Sequence, residues 1–297
     1  MTSRIPHSLL LKLQCIEPDA TFSGSLPRVQ SSSGAIYYAK IGSPSDAAQF
    51  TGEAESLKAI DDAAPSLAPK VLAIGTLDSG EPYFISQYKD IGSLSYRAGD
   101  VLAKRMATEM HTKANPSGRG FGFEIPTYCG PTRLQNGWFE RWDECYAGMI
   151  GDLLGQLEKK GRYQALCTKG AIVQSDVIPK LLGNLDVKPV ILHGDLWSGN
   201  AGVDKETGQP VIFDPASYYG HNEADLSIAR IFGGFSDSFF KTYHDHMPKT
   251  EPVDQYDLRM DLYELFHFMN HTLIFGGHYA ASAERKIDRL IGSLPEL

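Results

Sequence analysis

Short runs of strand-forming residues dominate the first third of the chain, and helical periodicity dominates the rest. Ala35–Ile41 (AIYYAKI) is rich in aromatic and β-branched residues and follows a Ser/Gly turn at Ser31–Gly34, which predicts a strand. From Ala47 to about Asp61, Phe50, Leu57 and Ile60 supply one buried helical face, and Pro65 and Pro69 close the segment. Val71–Thr76 and Tyr83–Gln87 read as two strands joined by the turn Asp78-Ser79-Gly80. Beyond Ser93 the pattern turns helical, over Leu94–His111, Trp138–Lys160, Ala171–Leu185 with a break at Pro179, Ile228–His244 and Asp254–Phe275. Asn115–Gly137, rich in Gly, Pro and aromatics, reads as an ordered loop. Val190–Leu192 and Pro210–Phe213 read as the strands of a hairpin around Asp204–Gly208. The order predicts an α+β protein with a strand-rich front part, residues 1–88, a helix-rich back part, residues 89–297, and a hinge between them.

Composition narrows the class. The 297 residues are 42% hydrophobic, enough for a sizeable core. A formal net charge of -8 argues against nucleic acid as the main partner. No run of about 18 apolar residues is present, so no membrane span is expected. Met1–Leu13, with Arg4 ahead of Leu9–Leu11 and Lys12 interrupting that run, reads as an amphipathic helix and not as a signal peptide. Cys15, Cys129, Cys145 and Cys167 have no C-x-x-C spacing and read as free thiols of a cytoplasmic protein.

Three constellations carry chemistry. His193-Gly194-Asp195-Leu196-Trp197-Ser198-Gly199-Asn200 follows an apolar run and should leave a strand as a loop. Its Asp195-to-Asn200 spacing is that of a protein-kinase catalytic loop, where the Asp orients the attacking hydroxyl and the Asn ligates Mg²⁺. Asp and Asn in turns also simply satisfy backbone groups. Val211-Ile212-Phe213-Asp214, fourteen positions after Asn200, adds a strand-end carboxylate where a kinase-like fold holds its second metal ligand. Lys40 lies in a predicted strand and Glu53 thirteen positions on in a predicted helix, the pairing that clamps ATP phosphates in kinases. Glu55 competes for Lys40 but would face elsewhere on the helix. Ser23-Gly24-Ser25 is either a phosphate-covering turn at Gly24 or an ordinary Gly/Ser turn, since neither Gly-rich phosphate-loop motif is present.

With these residues in place, the chain resembles the fructosamine-3-kinase and ketosamine-3-kinase family, relatives of aminoglycoside phosphotransferases. The resemblance rests on HGDLWSGN (His193–Asn200), FDPASYYGH (Phe213–His221), Glu223-Ala224-Asp225-Leu226 and Ile231–Phe235. Phe121-Gly122-Phe123, Cys129-Gly130, Trp138 and Gly52–Leu57 add to it, so it spans nearly the whole chain. It implies a bilobal protein-kinase-like fold, ATP and Mg²⁺ as co-substrate and metal, and phosphorylation of the 3-hydroxyl of a protein-bound ketosamine. The phosphorylated adduct is then shed, which deglycates the protein. It further implies Asp195 as base, Asn200 and Asp214 as metal ligands, and Lys40 on the phosphates anchored by Glu53. Gln87, Tyr88 and Lys89 would be the hinge segment whose backbone meets adenine. Trp197 packs either against the sugar or into the core, and Tyr218, Tyr219 and His221 are candidate acceptor-site residues. Glu223 and Asp225 are expected to hold the catalytic loop, and His193 to orient it. Trp138, Phe121 and Phe123 are either pocket walls or aromatic core, with core the default reading. Some members carry a redox-switch Cys in the phosphate-covering loop; Thr21–Val29 has none, so no such switch is expected. The competing readings are a kinase of a free cationic small molecule, such as an aminoglycoside or choline, and a catalytically silent nucleotide-binding protein on the same scaffold.

Overall fold

Alternation along a strand sends successive side chains to opposite faces of a sheet, and each face needs a cover. In this computed structural model, which describes residues 5–297, helix α1 (His7–Ile16) leads into strands β1 (Phe22–Ser25), β2 (Arg28–Ser31) and β3 (Ile36–Ile41). Helix α2 (Ala47–Ala63) and strands β4 (Val71–Thr76) and β5 (Pro82–Gln87) complete an antiparallel sheet of order β1-β2-β3-β5-β4. Met1–Arg4, the start of the expected amphipathic segment, lie outside the described residues.

Leu9 and Leu13 of α1 pack with Val29, Ala39 and Ile85 on one face of the sheet, while Leu57 and Ile60 of α2 join Phe84 in the main core on the other. Phe84 therefore faces α2, and its neighbours Tyr83 and Ile85 face α1. The same alternation in β3 sends Tyr37 and Ala39 toward α1 and Tyr38 and Lys40 toward α2. Lys40 and Glu53 are thus brought together by strand period and helix placement.

After β5 the chain leaves this sheet. Strand β6 (Ile91–Ser93) is followed by α3 (Tyr96–Arg105), which continues into a π-turn at Met106–Met110. Then come β7 (Phe121–Phe123), β8 (Thr127–Cys129), β9 (Thr132–Leu134), β10 (Gly137–Phe139), α4 (Trp142–Lys159), α5 (Gln164–Ile172) and α6 (Ile178–Leu182). β11 (Val190–Leu192), β12 (Ala201–Asp204), β13 (Pro210–Ile212), β14 (Tyr218–Gly220), α7 (Ser227–Ile231), α8 (Asp237–His246), α9 (Tyr256–Phe275) and α10 (His278–Gly292) complete it. The strands form two small sheets, β13-β12-β6 and β10-β7-β14-β11, and a β8-β9 hairpin. α9 is the central helix, with Met260, Leu262, Tyr263, Leu265, Phe266 and Met269 all in the main core. Lys89 pairs with Asp204 at 2.9 Å and Lys205 with Asp90 at 2.8 Å, fastening the crossover segment to the β12–β13 turn. No described helix is long and apolar enough to cross a membrane.

Several elements differ from the sequence reading. Val190–Leu192 does not pair with Pro210–Phe213; β11 pairs with β14, and β13 pairs with β12. β12 (AGVD) is Gly-containing and too short to show a period. Asn115–Gly137 contains β7, β8 and β9 and the first residue of β10, three-residue strands below the length at which alternation is detectable. Ile228–His244 is two helices, separated at Gly233 and Gly234, both at positive φ. Pro179 does not break a helix: it sits in the first turn of α6, after a π-turn at Val173–Val177. α10 had no counterpart in the sequence reading.

Candidate active site

β11 delivers the HGDLWSGN loop, and three hydrogen bonds to Asp225 set its start. The carboxylate accepts from His193 N and Gly194 N, both at 2.9 Å, and from His111 Nε2 at 3.2 Å. Gly194 has φ +78°, and a Cβ there would lie 2.2 Å from the Ala216 carbonyl oxygen, so only glycine fits. His193 is fully buried; its Nδ1 accepts from Asp195 N at 3.3 Å and its Nε2 donates to Phe213 O at 3.0 Å. Burial pushes its pKa down, and the neutral tautomer those two bonds require orients the loop. Glu223 serves elsewhere. Its carboxylate accepts from Arg259 Nε at 2.7 Å and Thr250 N at 2.8 Å, in a buried pair that does not touch the catalytic loop.

Asn200 ends the loop. Its Nδ2 donates to Asp195 O at 2.9 Å and to Asp195 Oδ2 at 3.3 Å, while its Oδ1 has no hydrogen-bond partner among the described residues. The backbone N of Phe213 donates to Asn200 O at 3.0 Å, which sets Asp214 beside the loop. Asp214 is exposed and has φ +54°, in the left-handed region that non-glycine residues seldom adopt. A free amide oxygen and a projecting carboxylate are the hard donors Mg²⁺ prefers. Across from them, Lys40 Nζ meets Glu53 Oε2 at 2.5 Å. Glu55 pairs instead with Lys58 at 2.7 Å. Ser217 N donates to Ser56 Oγ at 3.2 Å, tying α2 to the segment after Asp214.

Lys40, Glu53, Asp195, Trp197, Asn200 and Asp214 all line one cleft of about 740 Å³. Burial pushes the Asp195 carboxyl up to about 7; the Cys129 thiol opposes the rise, the Asp214 charge adds to it, and the Asn200 amide opposes it again. A carboxyl near neutrality suits a group that takes a proton from a hydroxyl. Trp197 is 41% exposed and belongs to the cleft, not to the core.

Other expected residues lie outside this lining. Gly24 sits in β1 opposite Val29, where a Cβ would come 2.9 Å from Arg28 O, so the β1–β2 hairpin itself explains the glycine. Gln87 and Tyr88 donate their backbone N–H groups to Lys70 O and Ile36 O, and Lys89 directs its ammonium to Asp204. Tyr218 is buried and stacked on Trp142, and His221 is buried between the Tyr263 hydroxyl and Thr250 Oγ1, both at 2.8 Å. Tyr219 stacks on Trp138 of β10, across β7. None of these three lines the cleft, because β14 runs back along β11. Phe121 and Phe123 are core, while Trp138 is half-buried.

The cleft also has an aromatic wall that sequence reasoning missed, made by Phe232, His271, Phe275 and Tyr279. The Phe232 and Tyr279 rings lie 4.8 and 5.1 Å from that of His271. Cys129 and Asn270 also line the cleft, with Asn270 Nδ2 donating to Cys129 Sγ at 3.2 Å.

A strand lysine held by a helix glutamate, facing a loop with an Asp, an Asn and a following Asp, defines a phosphotransferase of the bilobal protein-kinase-like class. The chain belongs to the fructosamine kinase family, whose sequence profile matches residues 24–293. It is similar to ketosamine-3-kinase of Mus musculus, at 36% identity over 269 residues covering 83% of this chain and 85% of the relative. It is also similar to the chloroplastic protein-ribulosamine 3-kinase of Arabidopsis thaliana, at 39% over 245 residues covering 81% and 72%. In fold it matches a candidate fructosamine-3-kinase from Thermobifida fusca, with TM-score 0.79 and 23% identity, covering 96% and 99% of the two chains. It likewise matches an aminoglycoside phosphotransferase, APH(4)-Ia, in ternary complex with AMP-PNP and hygromycin B, with TM-score 0.61 and 16% identity, covering 96% and 98%.

Proposed function

We propose that this chain uses Mg-ATP to phosphorylate the 3-hydroxyl of ketosamines, on ribulose-, erythrulose- or fructose-modified amines of proteins, and so leads to deglycation. The convergence of Lys40, Asp195, Asn200 and Asp214 on one cleft carries the reading. Residues 1–88 are the lobe holding the phosphate clamp, and residues 89–297 the lobe holding the catalytic loop and acceptor site. Asp195 accepts the hydrogen bond of the attacking hydroxyl and takes its proton as the γ-phosphoryl moves in line. Lys40, held by Glu53, sets its charge against phosphate oxygens. Asn200 Oδ1 and the Asp214 carboxylate would hold Mg²⁺, which supplies charge neutralisation on the phosphates. Of the hinge segment, Lys89 keeps a backbone N–H without a protein partner among the described residues, and we assign it to adenine. Trp197 and the aromatic wall take the sugar and its linker. The ketosamine-3-kinase and protein-ribulosamine 3-kinase relatives weigh against a free cationic acceptor; the aromatic wall does not, since such rings also hold cations. Buried unpaired thiols at Cys129, Cys145 and Cys167 suit a reducing compartment, and we place the protein in the cytoplasm.

The test is a panel of ribulose-, erythrulose- and fructose-modified lysines incubated with ATP and Mg²⁺, with the phosphate position read by NMR. Transfer to the 3-hydroxyl is expected, together with a loss of about 10²–10⁴-fold in Asp195→Asn with nucleotide binding retained. Absence of ATP-dependent phosphate on every sugar would overturn the reading.

A further inference from the structure

Asp195 shares a cluster with two side chains, Cys129 and His267, that phosphoryl transfer does not require. Ligand atoms of Cys129, Asp195 and His267 lie within 4.8 Å of one another. Cys129 comes from the end of β8, Asp195 from the loop after β11, and His267 from the middle of α9. His267 is only 5% exposed, and its Nδ1 is buried with no hydrogen-bond partner among the described residues. A buried, unpaired imidazole nitrogen costs free energy, and its persistence asks for a partner.

We propose that Cys129, Asp195 and His267 form a binding site for a thiophilic divalent cation, with zinc as the probe ion, and that the bound cation silences the kinase. One thiolate, one imidazole and one carboxylate oxygen make the three-ligand set of an open zinc site, and the cleft-facing side leaves a fourth position for water. Bond lengths of about 2.0–2.3 Å put tetrahedral ligands about 3.3–3.7 Å apart, so atoms no more than 4.8 Å apart need to close by at most about 1.5 Å. The donor set also separates this site from the magnesium ligands. Sulfur and imidazole select zinc, while the Asn200 and Asp214 oxygens select Mg²⁺. On binding, the Cys129 thiol releases its proton to solvent and the Asp195 carboxylate is withdrawn from the acceptor hydroxyl. The inhibitory consequence rests on Asp195 being the base; the binding itself does not.

The test begins with the chelator-treated full-length protein, without nucleotide, titrated with Co²⁺ and back-titrated with Zn²⁺. One equivalent is expected, with a thiolate-to-cobalt charge-transfer band and the intense visible bands of tetrahedral cobalt. Cys129→Ser should lose the charge-transfer band and weaken binding at least 100-fold, and His267→Gln should weaken it at least 10-fold. Cys15→Ser, which alters the one exposed thiol, should change nothing. X-ray absorption of the zinc-loaded wild type needs no variant to fold and should find one sulfur at about 2.3 Å with nitrogen and oxygen at about 2.0 Å. No sulfur neighbour, a band that survives Cys129→Ser, or a band lost in Cys15→Ser would each overturn the site. Zinc should also inhibit phosphorylation in the presence of Mg-ATP, reversed by chelator. Binding without inhibition would leave the site standing and remove Asp195 from its assigned role.

Discussion

Asp225→Asn tests how the catalytic loop is held, because the carboxylate touches the loop through backbone groups alone. It accepts from His193 N, Gly194 N and His111 Nε2 and is 2% exposed. An amide keeps one oxygen acceptor and replaces the other with a donor, which then faces an N–H. One charge-assisted bond, about 1.5–3 kcal/mol, is lost, and a buried N–H goes without an acceptor, for a total of about 2–4 kcal/mol. If about 1.4 kcal/mol of this is felt by the folded loop, the rate falls about tenfold, since Gly194 directly precedes Asp195. Urea unfolding followed by tryptophan fluorescence should give a lower midpoint with an unchanged slope. Burial alone would raise the Asp225 carboxyl, but the hydrogen bonds from His111 and from the His193 N–H outweigh it and hold it below the usual range. A depressed carboxylate contributes stability above its unfolded pKa of about 3.9 and loses it as pH falls through the folded value. The gap between wild type and variant should therefore be constant from about pH 5 to 7 and narrow only below about pH 4. A loss under about 0.5 kcal/mol, or a gap that changes around neutral pH, would refute this account of the loop.

Lys40→Met should lower kcat by about 10²–10³-fold in the coupled ATP assay. Its effect on the unfolding midpoint should be small, because the ion pair with Glu53 is partly solvated. Arg259→Met strands the buried Glu223 carboxylate and should cost about 3–5 kcal/mol in a thermal melt, with little change in KM of the remaining folded enzyme. Gly194→Ala forces a Cβ against Ala216 O at positive φ and should abolish turnover; wild-type activity in a folded Gly194→Ala protein would show that the loop is not held as described.

The polar lining of the cleft was legible in the sequence because its geometry is local or periodic. Asp195 and Asn200 share one loop, and Asp214 follows a hairpin whose length is set by two short strands. Lys40 and Glu53 needed only a strand period and the helix beside it. The expected acceptor residues fall outside the cleft lining for the opposite reason. Tyr218, Tyr219 and His221 lie close to Asp214 in sequence, but nearness in sequence is not nearness to the cleft. The turn at Asp214 sends the following segment back along β11, where Tyr218 meets Trp142 and His221 meets Tyr263. Nothing in a Tyr-Tyr-Gly-His run distinguishes a wall from a core, because both demand apolar rings with a polar tip that finds a partner.

The aromatic wall was hidden by a different ambiguity. Helical periodicity predicts that a face is apolar, but not whether another element covers it. α9 buries most of its length, so a core reading of its whole pattern was the natural one. Gly276 and Gly277, both at positive φ, turn the chain sharply into α10, which packs back along α9. Phe275 is thereby left 66% exposed beside the His271 and Tyr279 rings, at the mouth of the cleft. The position of that two-glycine turn thus decides which part of one apolar helix is core and which part lines the cleft. The residues that discriminate among sugars should accordingly be sought at the end of α9 and the start of α10, about seventy positions beyond the catalytic loop, and not in the segment that follows Asp214.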